Sequence, residues 1–89
     1  MIARRVTVAG RVQGVGFRFF AERSARELGV KGWVRNLPDG NVESVAEGEE
    51  GAIAGYVERL HRGPRMGAVE RVQVEEVPVS GFSSFEITG

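Results

Sequence analysis

Eighty-nine residues leave room for one hydrophobic core, so the chain reads as a single domain spanning 1–89. A hydrophobic share of 42% with 27% charged residues excludes a disordered chain, and no apolar run nears the ~20 residues of a bilayer-spanning helix. Twelve basic and twelve acidic residues cancel, against a nucleic-acid binder that works by phosphate neutralisation, and the absence of cysteine excludes disulfides, thiol nucleophiles and thiolate metal sites. Met1–Arg5 lacks the apolar core of a signal peptide. The expectation is a cytoplasmic protein, monomeric, without metal or cofactor and without membrane or nucleic-acid partners.

In chain order, Val6, Val8 and Val12 alternate with Arg5, Thr7 and Arg11, which predicts a strand over residues 3–12. From Phe17 the period changes: Phe17, Phe20, Ala21, Ala25 and Leu28 make a helical stripe that Gly29 ends. Glu22 and Arg26 stand four apart on its outer face. A second strand over residues 30–36 leads into Leu37-Pro38-Asp39-Gly40, whose turn chemistry makes a hairpin with a third strand over 41–47. Ile53, Ala54, Val57 and Leu60 form a second helical stripe, stopped by Gly63-Pro64. Residues 68–78 read as a fourth strand, and Phe85 with Ile87 suggests a short fifth.

That order matches the ferredoxin-like βαββαβ arrangement, an α+β sandwich with an antiparallel four- to five-stranded sheet and two helices on one face. In it the first two strands run the same way, separated by the third, and bring their C-terminal ends to one edge about 10 Å apart. The first then leads into Gln13–Arg18 and the second ends at Asn36.

Gln13-Gly14-Val15-Gly16-Phe17-Arg18 joins strand to helix. Glycines there let successive N–H groups converge, and the helix start adds unpaired donors with a partial positive charge. Arg18 stands in the first turn, where a cation is unfavourable against the helix dipole unless an anion binds. The expected element is an oxyanion cradle for phosphate, with Arg18 as a planar, permanently charged fork. Asn36 commonly serves turn chemistry at such a strand end. Opposite a phosphate cradle, its amide, donor and acceptor at once, suits the orienting of a water.

The segment departs from GxxxxGK[ST], and Phe19 stands where a dinucleotide fingerprint has its third glycine. Gly16–Phe20 loosely matches the aromatic signature of RNA-recognition domains, but these aromatics have helical spacing and are expected in the core. His61 and the serines at 80, 83 and 84 suggest surface and loop positions, and no spacing suggests a catalytic triad or metal ligands.

Gly10-Arg11-Val12-Gln13-Gly14-Val15-Gly16-Phe17-Arg18, followed by Gly32-Trp33-Val34-Arg35-Asn36-Leu37-Pro38-Asp39-Gly40, strongly resembles the acylphosphatases, and the resemblance runs essentially the length of the chain to Phe85-Glu86-Ile87. It implies hydrolysis of the carboxyl–phosphate bond of small acyl phosphates without a metal or a covalent intermediate. Arg18 matches the family's phosphate-binding arginine and Asn36 its water-orienting asparagine. Gln13, Gly14, Val15, Gly16, Phe17 and Arg18 match the loop whose backbone amides hold the phosphoryl oxygens. The alternatives are a non-catalytic phosphate- or acyl-phosphate-binding module and a small RNA-binding domain.

Overall fold

β1 (Ile2–Arg11), α1 (Phe17–Leu28), β2 (Lys31–Asn36), β3 (Val42–Gly48), α2 (Glu50–Arg62), β4 (Ala68–Glu76) and β5 (Phe85–Ile87) follow one another in a computed structural model that describes residues 1–89. Each boundary falls within about two residues of its sequence expectation. Alternation gives β1 its sidedness: Val6 and Val8 turn to the helices and are fully buried, while Arg5 and Thr7 take the other face. Phe17, Ala21 and Ala25 of α1 and Ile53, Tyr56 and Leu60 of α2 meet them in one core. Burying a side chain the size of Phe17 contributes roughly 2–3 kcal/mol. The core carries one polar link: Ser44 Oγ donates to the Trp33 carbonyl at 2.8 Å and is 2.8 Å from the Tyr56 hydroxyl, which therefore donates to it.

The two helices treat their dipoles differently. α2 begins with Glu50 and ends with Arg59, His61 and Arg62, so charge complements both ends. α1 has Arg26 in its last turn but no acidic residue in its first, and its N-cap, Gly16, offers no side-chain oxygen. The positive end of α1 is left without a protein partner.

The sheet order is β4-β1-β3-β2-β5. β1 and β2 are both antiparallel to β3, and Val8 and Asn36 both pair with Val42. Their C-terminal ends therefore lie at one edge of the sheet, as the element order predicts. One expectation is corrected: the sheet is mixed, because β5 forms and pairs parallel with β2. β4 occupies one outer edge and β5 the other, so residues 77–84 must cross the sheet. A strand arriving beside β2 after that crossing runs in the direction of β2.

The crossing covers the face opposite the helices. Val77 donates its N–H to the Ala3 carbonyl at 3.3 Å, and Gly32 donates to the Ser84 carbonyl at 3.0 Å. Midway, Glu47 of β3 accepts the N–H groups of Ser80, Gly81 and Phe82. Glu47 is only 1% exposed. Burial by itself pushes its carboxyl up, but those three donors outweigh burial and hold it below the usual carboxylate range. On the same face Glu43 lies between Arg5 at 3.4 Å and Arg35 at 2.8 Å, and Arg35 stacks over Trp33, which packs outside the helix-facing core. No helix is long and apolar enough to cross a membrane.

Candidate active site

Beyond Arg11 the chain turns through residues 13–16 before α1 begins. Gly14 and Gly16 hold φ of 75° and 78°, the left-handed region that a side chain disfavours, and a Cβ at either would meet nothing within 4 Å. Left-handed backbone at alternate positions swings successive N–H groups towards one point. The N–H groups of residues 14–19 donate to no protein acceptor, the first bonded amide being Phe20, which donates to the Gly16 carbonyl at 3.0 Å. Unpaired donors at a helix start are an anion site in waiting.

The side chains sort themselves by role. Phe17 is 2% exposed and belongs to the core, so it offers only its backbone. Val15 packs against the core from the loop. Arg18 is half-buried, and its guanidinium forms neither an ion pair nor a hydrogen bond; Arg4, Arg5, Arg26, Arg35, Arg59 and Arg62 all have carboxylate partners. An unpaired, partly desolvated cation at the positive end of a helix raises the local potential twice over.

Asn36 ends β2 on the helix-facing side, since it pairs with Val42 and Val42 lies in the core. Its Oδ1 is buried and accepts no hydrogen bond. Such an oxygen costs about 1–3 kcal/mol in desolvation, which marks it as a site where stability has been given up. No group of three or more histidine, aspartate or glutamate side chains is drawn together anywhere in the fold.

The link between loop and strand end is a residue whose side chain the sequence left unread. Gln13 Nε2 donates to the carbonyls of Leu37 at 2.7 Å and Asn41 at 2.8 Å. Gln13 is thus a strut as well as part of the cradle, fixing the loop after β1 against the turn after β2. These partners are 24 and 28 positions away, so no local pattern could announce them.

A family model described as acylphosphatase matches residues 4–87. The chain belongs to the acylphosphatase family. A curated acylphosphatase of Rubrobacter xylanophilus is 58% identical over 93% of this chain and 76% of its own length. One of Archaeoglobus fulgidus is 46% identical over 98% of both chains. The crystal structure of an acylphosphatase from Bacillus subtilis superposes with a TM-score of 0.98, at 40% identity and full coverage of both chains.

One sequence expectation in the first turn of α1 is corrected. Phe19 was expected in the core with its aromatic neighbours, but it is 69% exposed. Phe17 and Phe20 carry the helical stripe, which leaves Phe19 on the adjoining face.

Proposed function

We propose that this member of the acylphosphatase family hydrolyses the carboxyl–phosphate bond of small acyl phosphates. The N–H groups of Gln13, Gly14, Val15, Gly16, Phe17 and Arg18 hold the phosphoryl oxygens, together with the Arg18 guanidinium. Asn36 holds the attacking water through Oδ1. The observation that carries this reading is the pair of unsatisfied groups at one end of the sheet: a cation without an acid at Arg18 and a buried acceptor without a donor at Asn36.

The chemistry asks for little beyond those groups. The water oxygen forms a bond to phosphorus while the bond from phosphorus to the acyl oxygen breaks. The carboxylate leaves with the bonding pair, and both water protons end on inorganic phosphate, so an acyl phosphate dianion gives a carboxylate and dihydrogen phosphate. A carboxylate is a good leaving group, so positioning the water and neutralising charge on the equatorial oxygens suffice. Amides fixed by the glycine turn do this without reorganising during the reaction. Asn36 is too weak a base to take the proton outright, and its role is orientation.

We further propose that the substrate is a small molecule and that the protein works as a cytoplasmic monomer with no nucleic-acid partner. The zero net charge supports the last point. The deciding experiment is phosphate release from acetyl phosphate by wild type and by Arg18→Ala, with and without a chelator. Expected are chelator-insensitive release by wild type and a loss of at least about 10²-fold in the variant. Folded wild type that binds phosphate but releases none from the substrate would leave a binding module instead.

A further inference from the structure

A cleft of about 490 Å³ opens between the start of α1 and the segment that follows α2. Gly16, Phe19, Phe20 and Arg23 form one wall, and Pro64 and Arg65 face them. The spacing of residues 16, 19, 20 and 23 puts them on one face of α1, over a length of about 10 Å. Phe19 is 69% exposed there. Neither Arg23 nor Arg65 has a carboxylate partner, and the Glu22 carboxylate at the border is engaged by Arg26 at 3.3 Å. Exposed aromatic surface beside two unpaired guanidiniums suits a ligand with an apolar body and an anionic end.

Topology says which ligand that is. In the order β4-β1-β3-β2, the loop after β1 has Asn36 on one side and the segment leading into β4 on the other. That second neighbour is close: Arg11 Nη2 donates to the Met66 carbonyl at 3.1 Å. Gly67 packs on Val15, whose Cγ2 lies 3.3 Å from where a Cβ would stand. Phosphoryl transfer keeps entering and leaving oxygens roughly in line across phosphorus. With the water on the Asn36 side, the acyl oxygen departs on the cleft side. Gly16 belongs to both the cradle and the cleft, so the two adjoin at this residue.

We infer that this cleft is the acyl subsite, and that it favours acyl phosphates whose acyl group ends in a second anion, such as the monophosphorylated dicarboxylic acids. Phe19 and Phe20 cover the carbon chain, and Arg23 and Arg65 hold the distal carboxylate. The inference rests on the hydrolytic reading above and extends it to substrate choice.

The test compares kcat/KM for succinyl phosphate, which carries a terminal carboxylate, with that for acetyl phosphate, which has none. The double variant Arg23→Ala/Arg65→Ala is expected to lower the succinyl-to-acetyl ratio about tenfold or more, chiefly through KM for the succinyl compound. Phe19→Ala is expected to lower the benzoyl-to-acetyl ratio several-fold. Arg71→Ala, which removes an equal charge from β4, controls for the general field of the protein and is expected to keep the succinyl ratio of wild type. A ratio unmoved by the double substitution, or moved as far by Arg71→Ala, overturns the subsite while hydrolysis stands. No phosphate release from any of the three compounds by wild type removes the hydrolytic reading and the subsite with it.

Discussion

Gln13 reaches across the end of the sheet to Leu37: its Nε2 donates to the Leu37 carbonyl at 2.7 Å and shares a second proton with Asn41 at 2.8 Å. Leu37 itself donates its N–H to the Asn41 carbonyl at 2.8 Å, which closes the turn that Gln13 grips. The residue before this turn is Asn36. The loop with the free amides and the strand end with the free amide oxygen are therefore one rigid unit rather than two that happen to be near. A site that must hold water and phosphate in line within a fraction of an ångström depends on such a strut.

Gln13→Leu tests it. The substitution keeps the bulk and removes two hydrogen bonds from carbonyls that retain their backbone donors, Gly40 N–H on Leu37 and Leu37 N–H on Asn41. At about 0.5–1.5 kcal/mol each, their loss costs about 1–3 kcal/mol. For a domain of this length each kcal/mol lowers Tm by roughly 4–8 °C. A positioning role also predicts a fall in kcat of about tenfold or more with a smaller change in KM. Thermal melts beside steady-state kinetics separate the two roles, since normal kcat with lowered Tm would leave Gln13 a purely structural brace.

Asn36→Ala should give the opposite pattern to a core mutation. The buried Oδ1 has no protein partner to lose, so its removal relieves a desolvation cost. Stability is expected to hold or rise, while kcat falls about 10²- to 10³-fold and KM stays within a few-fold. A protein that gains stability as it loses turnover has its strain at the working site. Near-normal turnover by Asn36→Ala would remove the water-orienting role.

Phosphate binding has its own readout. A ligand that binds only the folded state stabilises it, by about 1.4 kcal/mol at ten times its Kd. Inorganic phosphate is expected to raise the Tm of wild type by several degrees and to leave Arg18→Ala unmoved. Gly14→Ala is an intermediate case: the added methyl meets nothing within 4 Å, so any loss comes from the left-handed φ of 75°. That conformation costs a side chain about 1–2 kcal/mol, and weaker phosphate binding with an unchanged sheet is the expected outcome.

Local chemistry made the helix-facing half of this molecule legible. The valine alternation of β1, the stripe from Phe17 to Leu28 and the Leu37–Gly40 turn each express a local preference that the tertiary structure keeps. Arg18 and Asn36 could be placed because two periods and one turn fix the edge to which their elements deliver them. The other face was opaque. Glu47 follows Val45 in the alternation of β3 and looks like any solvated acid, and nothing near it tells that residues 80–82 will fold over it. Contacts across 33 to 35 positions, made by backbone N–H groups that every residue possesses, leave no trace in side-chain identity. The parallel pairing of β5 was hidden for the same reason, being a consequence of that crossing.

The crossing makes Glu47 the acid-sensitive point of the fold. Its carboxyl lies below the ordinary value of 4.5 because Ser80, Phe82 and Gly81 outweigh the cost of burying it. In the unfolded chain those donors are gone and the carboxyl takes up a proton more readily. Stabilisation is therefore complete above the ordinary carboxylate range and is lost as pH falls through that range towards the lowered value in the folded state. Glu47→Gln, which replaces one acceptor oxygen by a donor and removes the charge, should cost about 3 kcal/mol at neutral pH, a Tm drop of roughly 12–24 °C. Its stability should then vary less between neutral pH and pH 3 than that of wild type, with hydrogen exchange rising first in residues 77–87. An acid limb as steep in Glu47→Gln as in wild type would move the acid sensitivity to another carboxylate.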